Sequence, residues 1–253
     1  MIVELVQPGL QIDLTDRKAS SDMEWQVMML VSSLYEANAA LIMFNEVRGQ
    51  TYVPEDIEKW PEEAKRKREL LRQVIDSQHG LDDVSASQEA EVLWRREQWS
   101  TGRLPLRLRI AKPFVAAKGF LFAADNIEKQ IATLASATGA PASVAGIHAQ
   151  VGLAFPSLRE LRNSAHHLED RARGLDRKGR KLDLKPVNAG GIAAPGGALV
   201  IGNLNGSTFG CTLKDGSFGQ IDVTEGSLAK LGDIVQNVLD ALPWKGPRTY
   251  VPY

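Results

Sequence analysis

One cysteine, Cys211, is all that the 253-residue chain carries. That excludes a disulfide framework within the chain and any C-x-x-C motif, and it fits a reducing, cytoplasmic compartment. Histidine is nearly as scarce, at four residues, so a structural zinc site has no ligand set and neither metal nor cofactor is expected. No apolar run reaches the roughly 18 residues of a transmembrane helix. The opening MIVELVQPGL carries Glu4 and lacks the basic leader and long apolar stretch of a signal peptide. Charge of one sign is missing too: the net charge is −1, so any nucleic-acid site must be a local patch. There is no G-x-G-x-x-G, no phosphate-binding loop and no alternation of strands with helices, which leaves a dinucleotide-binding α/β fold unsupported. A Ser/His/Asp hydrolase fares no better, since no nucleophile-elbow sequence occurs.

What is present is an ordinary globular composition, 43% apolar and 24% charged, long enough to bury a core unaided. Residues 2–14 alternate around Pro8 and read as an extended arm or edge strand. A long helix starts near Ser21-Asp22, with Met23, Val27, Leu30, Leu34, Ala37, Leu41 and Phe44 at three- and four-residue steps. Pro54, Glu55 and Asp56 start the next element, and Pro61 with Glu62 and Glu63 restarts it. There Glu62–Arg66 and Glu63–Lys67 are i,i+4 pairs on a solvated face. Ser85 or Ser87 caps a helix to Trp99. Residues 103–113 alternate around Pro105 and read as a connector or edge strand. Helices follow over 114–137 and about Ser143–Ala154, and a further one starts at Pro156 or Ser157 and runs on to Arg173.

After Arg173 the character changes. Residues 174–197 are basic and then glycine-rich, with Gly190-Gly191 and Gly196-Gly197 read as linker. Over 198–223, alternating runs surround Asn205-Gly206 and Asp215-Gly216, the strongest short hairpin signals. A final amphipathic helix spans 225–241, and the tail is extended. The expected fold is mostly α: one domain over 1–253, an antiparallel helical bundle with its core in 21–173, and a small three-stranded antiparallel β-meander inserted before the last helix.

The candidate site lies in RNSAHH, Arg162 to His167. On a helical wheel Leu158, Leu161, Ala165, Leu168 and Ala172 form one apolar stripe. Both histidines fall off that stripe. Arg162 and His166 are i,i+4 neighbours on one flank, and Asn163 and His167 are neighbours on the outer face. A polar surface helix with local charge pairing accounts for the pattern as well as a functional site does. Chemically, the residue types suit metal-free RNA cleavage. Such cleavage needs a base for the ribose 2′-hydroxyl, an acid for the departing 5′-oxygen and a cation for the charge on phosphorus. Histidine titrates near neutrality, arginine is a permanent forked phosphate ligand, and asparagine can orient either. A symmetric dimer would bring two copies of the helix together. Downstream, Arg171, Arg173, Arg177, Lys178, Arg180, Lys181 and Lys185 face only Asp176 and Asp183, a local charge of +5 able to follow a phosphate backbone.

At these residues the sequence resembles the HEPN superfamily, whose motif is an arginine, usually followed by a polar residue, then a histidine after a spacer of four to six residues. Arg162-Asn163-Ser164-Ala165-His166-His167, on a late helix of an all-helical bundle, pairs Arg162 with His167. The resemblance implies a homodimer with a composite cleft that cleaves RNA without metal. Arg162 binds phosphate, His167 is the general acid/base, Asn163 supports them, and His166 is the competing neighbour. With the local positive charge, Arg159, Arg171, Arg173, Arg177, Lys178, Arg180 and Lys181 are expected to contact RNA. The resemblance further implies a setting in phage defence or a toxin–antitoxin system, with an antitoxin or defence-system partner protein. The alternative is a catalytically inactive HEPN-like dimerisation or ligand-binding module, and a plain helical scaffold with an interaction hairpin stands behind both. His79 and His148 match nothing in the motif and read as structural or surface residues. Cys211 reads as a small buried hydrophobe. Trp94 and Trp99 flank Arg95 and Arg96 and read as partly buried.

Overall fold

A computed structural model describes residues 2–48, 59–77, 80–176 and 178–252. The element start at Pro54, Glu55 and Asp56, as well as His79 and Arg177, lies outside the described residues. The protein is mostly helical with small antiparallel sheets. Where the sequence pattern suggests one domain, the chain divides into two compact units, residues 1–46 with 114–253, and residues 47–113.

In the first unit the arm and the tail close on each other. Strand β1 (Leu5–Gln7) pairs antiparallel with β9 (Thr249–Val251), and β2 (Gln11–Ile12) with β8 (Trp244–Lys245). Helix α1 (Arg17–Val47) starts earlier than expected because Asp16 caps it, its Oδ1 accepting from the Lys18 N–H at 2.8 Å. By length and composition α1 could cross a membrane, with a mean hydropathy of 1.6 over 18 residues, although no unbroken apolar run of that length occurs; half of that window is buried. Its Leu30, Leu34 and Phe44 pack in one core with Phe120, Leu121 and Ile127 of α4 (Leu106–Ala135) and Leu228, Leu231 and Val235 of α8 (Glu225–Ala241). Gly119 lets α4 approach α1 closely, since a Cβ there would stand 3.4 Å from that of Ala40. Helix α8 has the expected bounds, with Thr224 as N-cap accepting from the Ser227 N–H. Helix α5 (Ser143–Ala154) also matches and packs on α8.

The meander is present but shorter than the pattern implies: β5 (Asn203–Asn205), β6 (Thr208–Thr212) and β7 (Phe218–Asp222), in that order and antiparallel. Residues 198–202 stay outside it and are held through Thr212, which exchanges hydrogen bonds with Val200 at 2.8 Å and donates its hydroxyl to the Ala198 carbonyl at 3.2 Å. The expected linker holds a second hairpin, β3 (Val187–Ala189) with β4 (Ile192–Ala194). Its loop is Gly190-Gly191, both at positive φ, as a type I′ hairpin turn requires and glycine adopts without strain. Gly216 is held against the chain at Asp183, where a Cβ would meet the carbonyl oxygen at 1.8 Å.

The second unit is built on α2 (Trp60–Ser77) and α3 (Asp83–Ser100), which share a small core of Leu70, Val74, Ala86 and Ala90. The cap of α3 is Asp82, not Ser85 or Ser87; it accepts from the Ser85 N–H at 2.9 Å. The acids and cations of α2 also pair differently from the i,i+4 expectation. Arg66 forks onto Glu97 of α3 at 2.6 and 3.0 Å, Lys67 reaches Glu91 at 2.8 Å, and Glu63 takes Arg103. A neighbouring helix offers the planar guanidinium two oxygens at once, which an exposed i,i+4 carboxylate competes with poorly. Lys67 also lies 3.7 Å from the Trp94 ring centre. The stretch after Pro105 is helical, not a strand: α4 begins at Leu106, with the Leu108 and Arg109 amides bonded back to the Pro105 carbonyl. Pro113 lies inside that helix, at the edge of the unit.

Candidate functional site

The helix that carries the motif, α6 (Leu158–His166), follows the wheel as far as Ala165. Leu158, Leu161 and Ala165 are buried, against β6 and β7. It then ends. His167, at φ −96° and ψ 59°, closes α6 and opens a short helix α7 (Leu168–Ala172). That break resets the helical phase. An unbroken helix would have turned Ala172 inward and Arg171 out; instead Ala172 is exposed and Arg171 is 4% exposed. The buried Arg171 guanidinium donates to the Leu175 carbonyl at 2.6 Å and the Ser164 hydroxyl at 3.3 Å. Arg171 is therefore a clamp inside the fold, and its placement among surface RNA contacts is corrected.

The break also changes the relation between the histidines. The wheel separates them, but their rings stand 5.2 Å apart, edge to face, with His166 in turn 6.4 Å from Phe122 of α4. His167 meets Glu169 at 3.4 Å through Nδ1. The Glu169 carboxyl is held below the usual range, first by its own backbone N–H and next by His167. Asn163 is half-buried, and its carbonyl accepts the His167 N–H at 3.0 Å.

Helices α4 and α6 run antiparallel, and their seam forms a ladder. Phe122 faces His166, Asp125 takes Arg162 at 2.8 Å, and Glu128 takes Arg159 at 3.3 Å. Glu128 also holds Nε2 of His148 at 2.9 Å, so His148 is part of this seam. Asp125 is 1% exposed. Its Oδ2 receives both Arg162 and the Lys129 ammonium, one turn on, while Oδ1 is buried without a hydrogen-bond partner. A buried carboxylate needs compensating cations, and two converge here. Arg162 is tied through Nε, which leaves its Nη edge for an oxyanion. The side chain of Arg162 is 24% exposed. The arrangement can thus hold a phosphate oxygen beside two imidazoles.

Asp125, Lys129 and Phe122 escape a reading of the motif alone because they lie about 40 residues upstream. A signal did exist: Asp125 is the first charge after Lys118 in an otherwise apolar stretch. Cys211 is buried beneath the seam, its Sγ 4.0 Å from the Leu161 carbonyl. Burial pushes its thiol up to about 11, against the pull of Arg171 and Lys118.

The basic stretch is largely paired within itself. Arg173 reaches Asp170 at 2.8 Å, and Lys185 reaches Asp183 at 3.0 Å. Asp176 accepts the Arg180 and Lys178 backbone N–H groups and the Arg180 side chain. These hold its carboxyl below the ordinary range, the Arg180 backbone first and its side chain next. Lys178 and Lys181 are exposed. Among the described residues no cluster of three or more His, Cys, Asp or Glu side chains could hold a metal ion. No family model matches the chain, and no curated protein or solved structure matches it.

Proposed function

We propose that the protein is a metal-independent endoribonuclease of HEPN type, working in the cytoplasm as a homodimer. One observation carries the reading. Arg162 is tethered through Nε to a buried carboxylate, on the short helix whose C-terminal end carries two imidazoles with rings 5.2 Å apart. In this reading Arg162 holds the scissile phosphate and stabilises its extra charge, and His167 moves the proton of the 2′-hydroxyl or of the 5′-oxygen. His166, packed on Phe122, orients its neighbour, and the second copy of the helix supplies the partner acid. Phage defence or a toxin–antitoxin pair is the setting such an enzyme fits.

The test is cleavage of a labelled RNA in EDTA by the full chain. Cleavage by wild type, lost in Arg162→Ala and in His167→Ala, is the expected result. Loss in His166→Ala with His167→Ala intact would transfer the role to His166. The second reading, an inactive HEPN-like dimerisation or ligand-binding module, is favoured by the seam itself. The Arg159–Glu128 and Arg162–Asp125 rungs join two helices, which a module needs without any catalysis. A dimer in light scattering that cleaves no RNA is its signature.

A further inference from the structure

We infer that the RNA strand is gripped along α4, by Lys118, Phe122 and Lys129 beside Arg162, and not along the basic stretch 171–185. The inference rests on the ribonuclease reading for its choice of ligand. Lys118, Phe122, Asp125 and Lys129 recur at steps of four, three and four residues, one narrow stripe of α4. From Lys118 to Lys129 the stripe is about 16 Å long. Phe122 and Asp125 fix its orientation, since one meets His166 and the other Arg162. Lys118, Phe122 and Lys129 are half-buried, and the Lys129 ammonium closes on Asp125. Lys118 stands one turn before Phe122 on that stripe, so it belongs to the α6 side of α4.

An aromatic pair beside Arg162 decides between the two candidates, since residues 171–185 carry no aromatic side chain. On the α4 stripe Lys118 and Lys129 stand with one acid, Asp125, which Lys129 shares with Arg162 of α6. In the basic stretch Arg171 is buried, Arg173, Arg180 and Lys185 each hold an acid two to four residues away, and Lys178 and Lys181 are exposed. Fixed cations that keep net charge beside an aromatic ring make a single-strand platform: phosphates meet ammonium and guanidinium groups, and a base meets the Phe122–His166 pair. The stripe is short, so it serves a few nucleotides on either side of the scissile phosphate.

The experiment uses the full chain carrying His167→Ala, with a fluorescent single-stranded oligouridylate as probe and anisotropy read at several salt concentrations. Wild-type cleavage is followed on the same RNA. Lys118→Ala and Lys129→Ala should each weaken binding about fivefold and flatten the log–log salt slope by about 0.7. Phe122→Ala should weaken binding about tenfold with the slope unchanged. Phe122→Leu, which keeps the packing, should do the same if the loss is of stacking. Lys178→Ala with Lys181→Ala should change affinity less than about twofold. The reverse pattern, with loop variants weakened and stripe variants intact, overturns the stripe and leaves the ribonuclease reading standing. Stripe-dependent binding by a wild-type chain that never cleaves upholds the stripe and removes the ribonuclease reading. No binding by any chain at low salt overturns the stripe.

Discussion

The α4–α6 seam and the stretch from Arg171 to Lys185 are both rich in cations, and they use them in opposite ways. In the stretch, arginines and lysines close on acids two to four residues away, as in Arg180–Asp176 and Lys185–Asp183. In the seam, Arg162 crosses 37 residues to an acid that is almost fully buried. Exposed local pairs form wherever the sequence places opposite charges nearby, and they contribute little. A long-range pair onto a buried carboxylate forms only when two elements are packed, and breaking it strands a charge in a medium that solvates it poorly. A high count of basic residues therefore says less about a binding surface than where each charge is already committed.

The sharpest way to break this comparison is to remove one acid from each side. Asp125→Ala leaves Arg162 and Lys129 without their shared carboxylate and should cost about 3 kcal/mol or more in urea unfolding. Asp183→Ala, from a side chain 87% exposed, should leave the unfolding midpoint unchanged. Equal effects would mean that burial does not separate the two regions. Next in size is cleavage itself: Arg162→Ala and His167→Ala should each lower it by about a hundredfold or more, while both chains stay folded by circular dichroism.

Smaller effects sharpen the contrast between neighbouring arginines. Arg171→Ala loses both hydrogen bonds of a buried guanidinium and should destabilise by about 1–3 kcal/mol, whereas Arg173→Ala should change nothing measurable. If both proved silent, α7 would not hold Arg171 inward. The smallest effect concerns acid. The Asp176 carboxyl lies lower in the folded chain than in an unfolded one, because Arg180 and Lys178 donate to it. Its contribution is thus present above the unfolded range, about pH 4, and disappears as the pH falls through the lower folded value. Amide exchange at Lys178 and Arg180, corrected for its intrinsic pH dependence, should show protection that is constant from pH 6 to 8 and falls only well below pH 4. Protection lost between those neutral values would contradict the Asp176 clasp.

Much of the helical framework was legible because it is local. Breakers and periodicity mark the bounds of α5 and α8, and the Asn205-Gly206 step marks the β5–β6 turn, although the loop proper is Gly206-Ser207. Misreadings cluster where a local signal has two outcomes. Pro105 reads as a strand edge or a helix start, and α4 takes the second. Gly190-Gly191 reads as linker or hairpin turn, and it is the turn. The candidate site was half legible: Arg162, Asn163, His166 and His167 stand together in the chain, while Phe122, Asp125 and Lys129 reach them only through packing.

Composition and pattern alone settle that this chain is mostly helical, that a small antiparallel sheet precedes its last helix, and that RNSAHH is its densest cluster of chemistry. Those properties depend on residues within a few positions of one another. Packing settles the rest. It breaks the motif helix at His167, turns Arg171 inward, brings two imidazole rings edge to face and gives Arg162 a buried carboxylate to hang from. The phase of a helix after a break, and the acid that a guanidinium finds across a seam, depend on surfaces that exist only once distant segments have met.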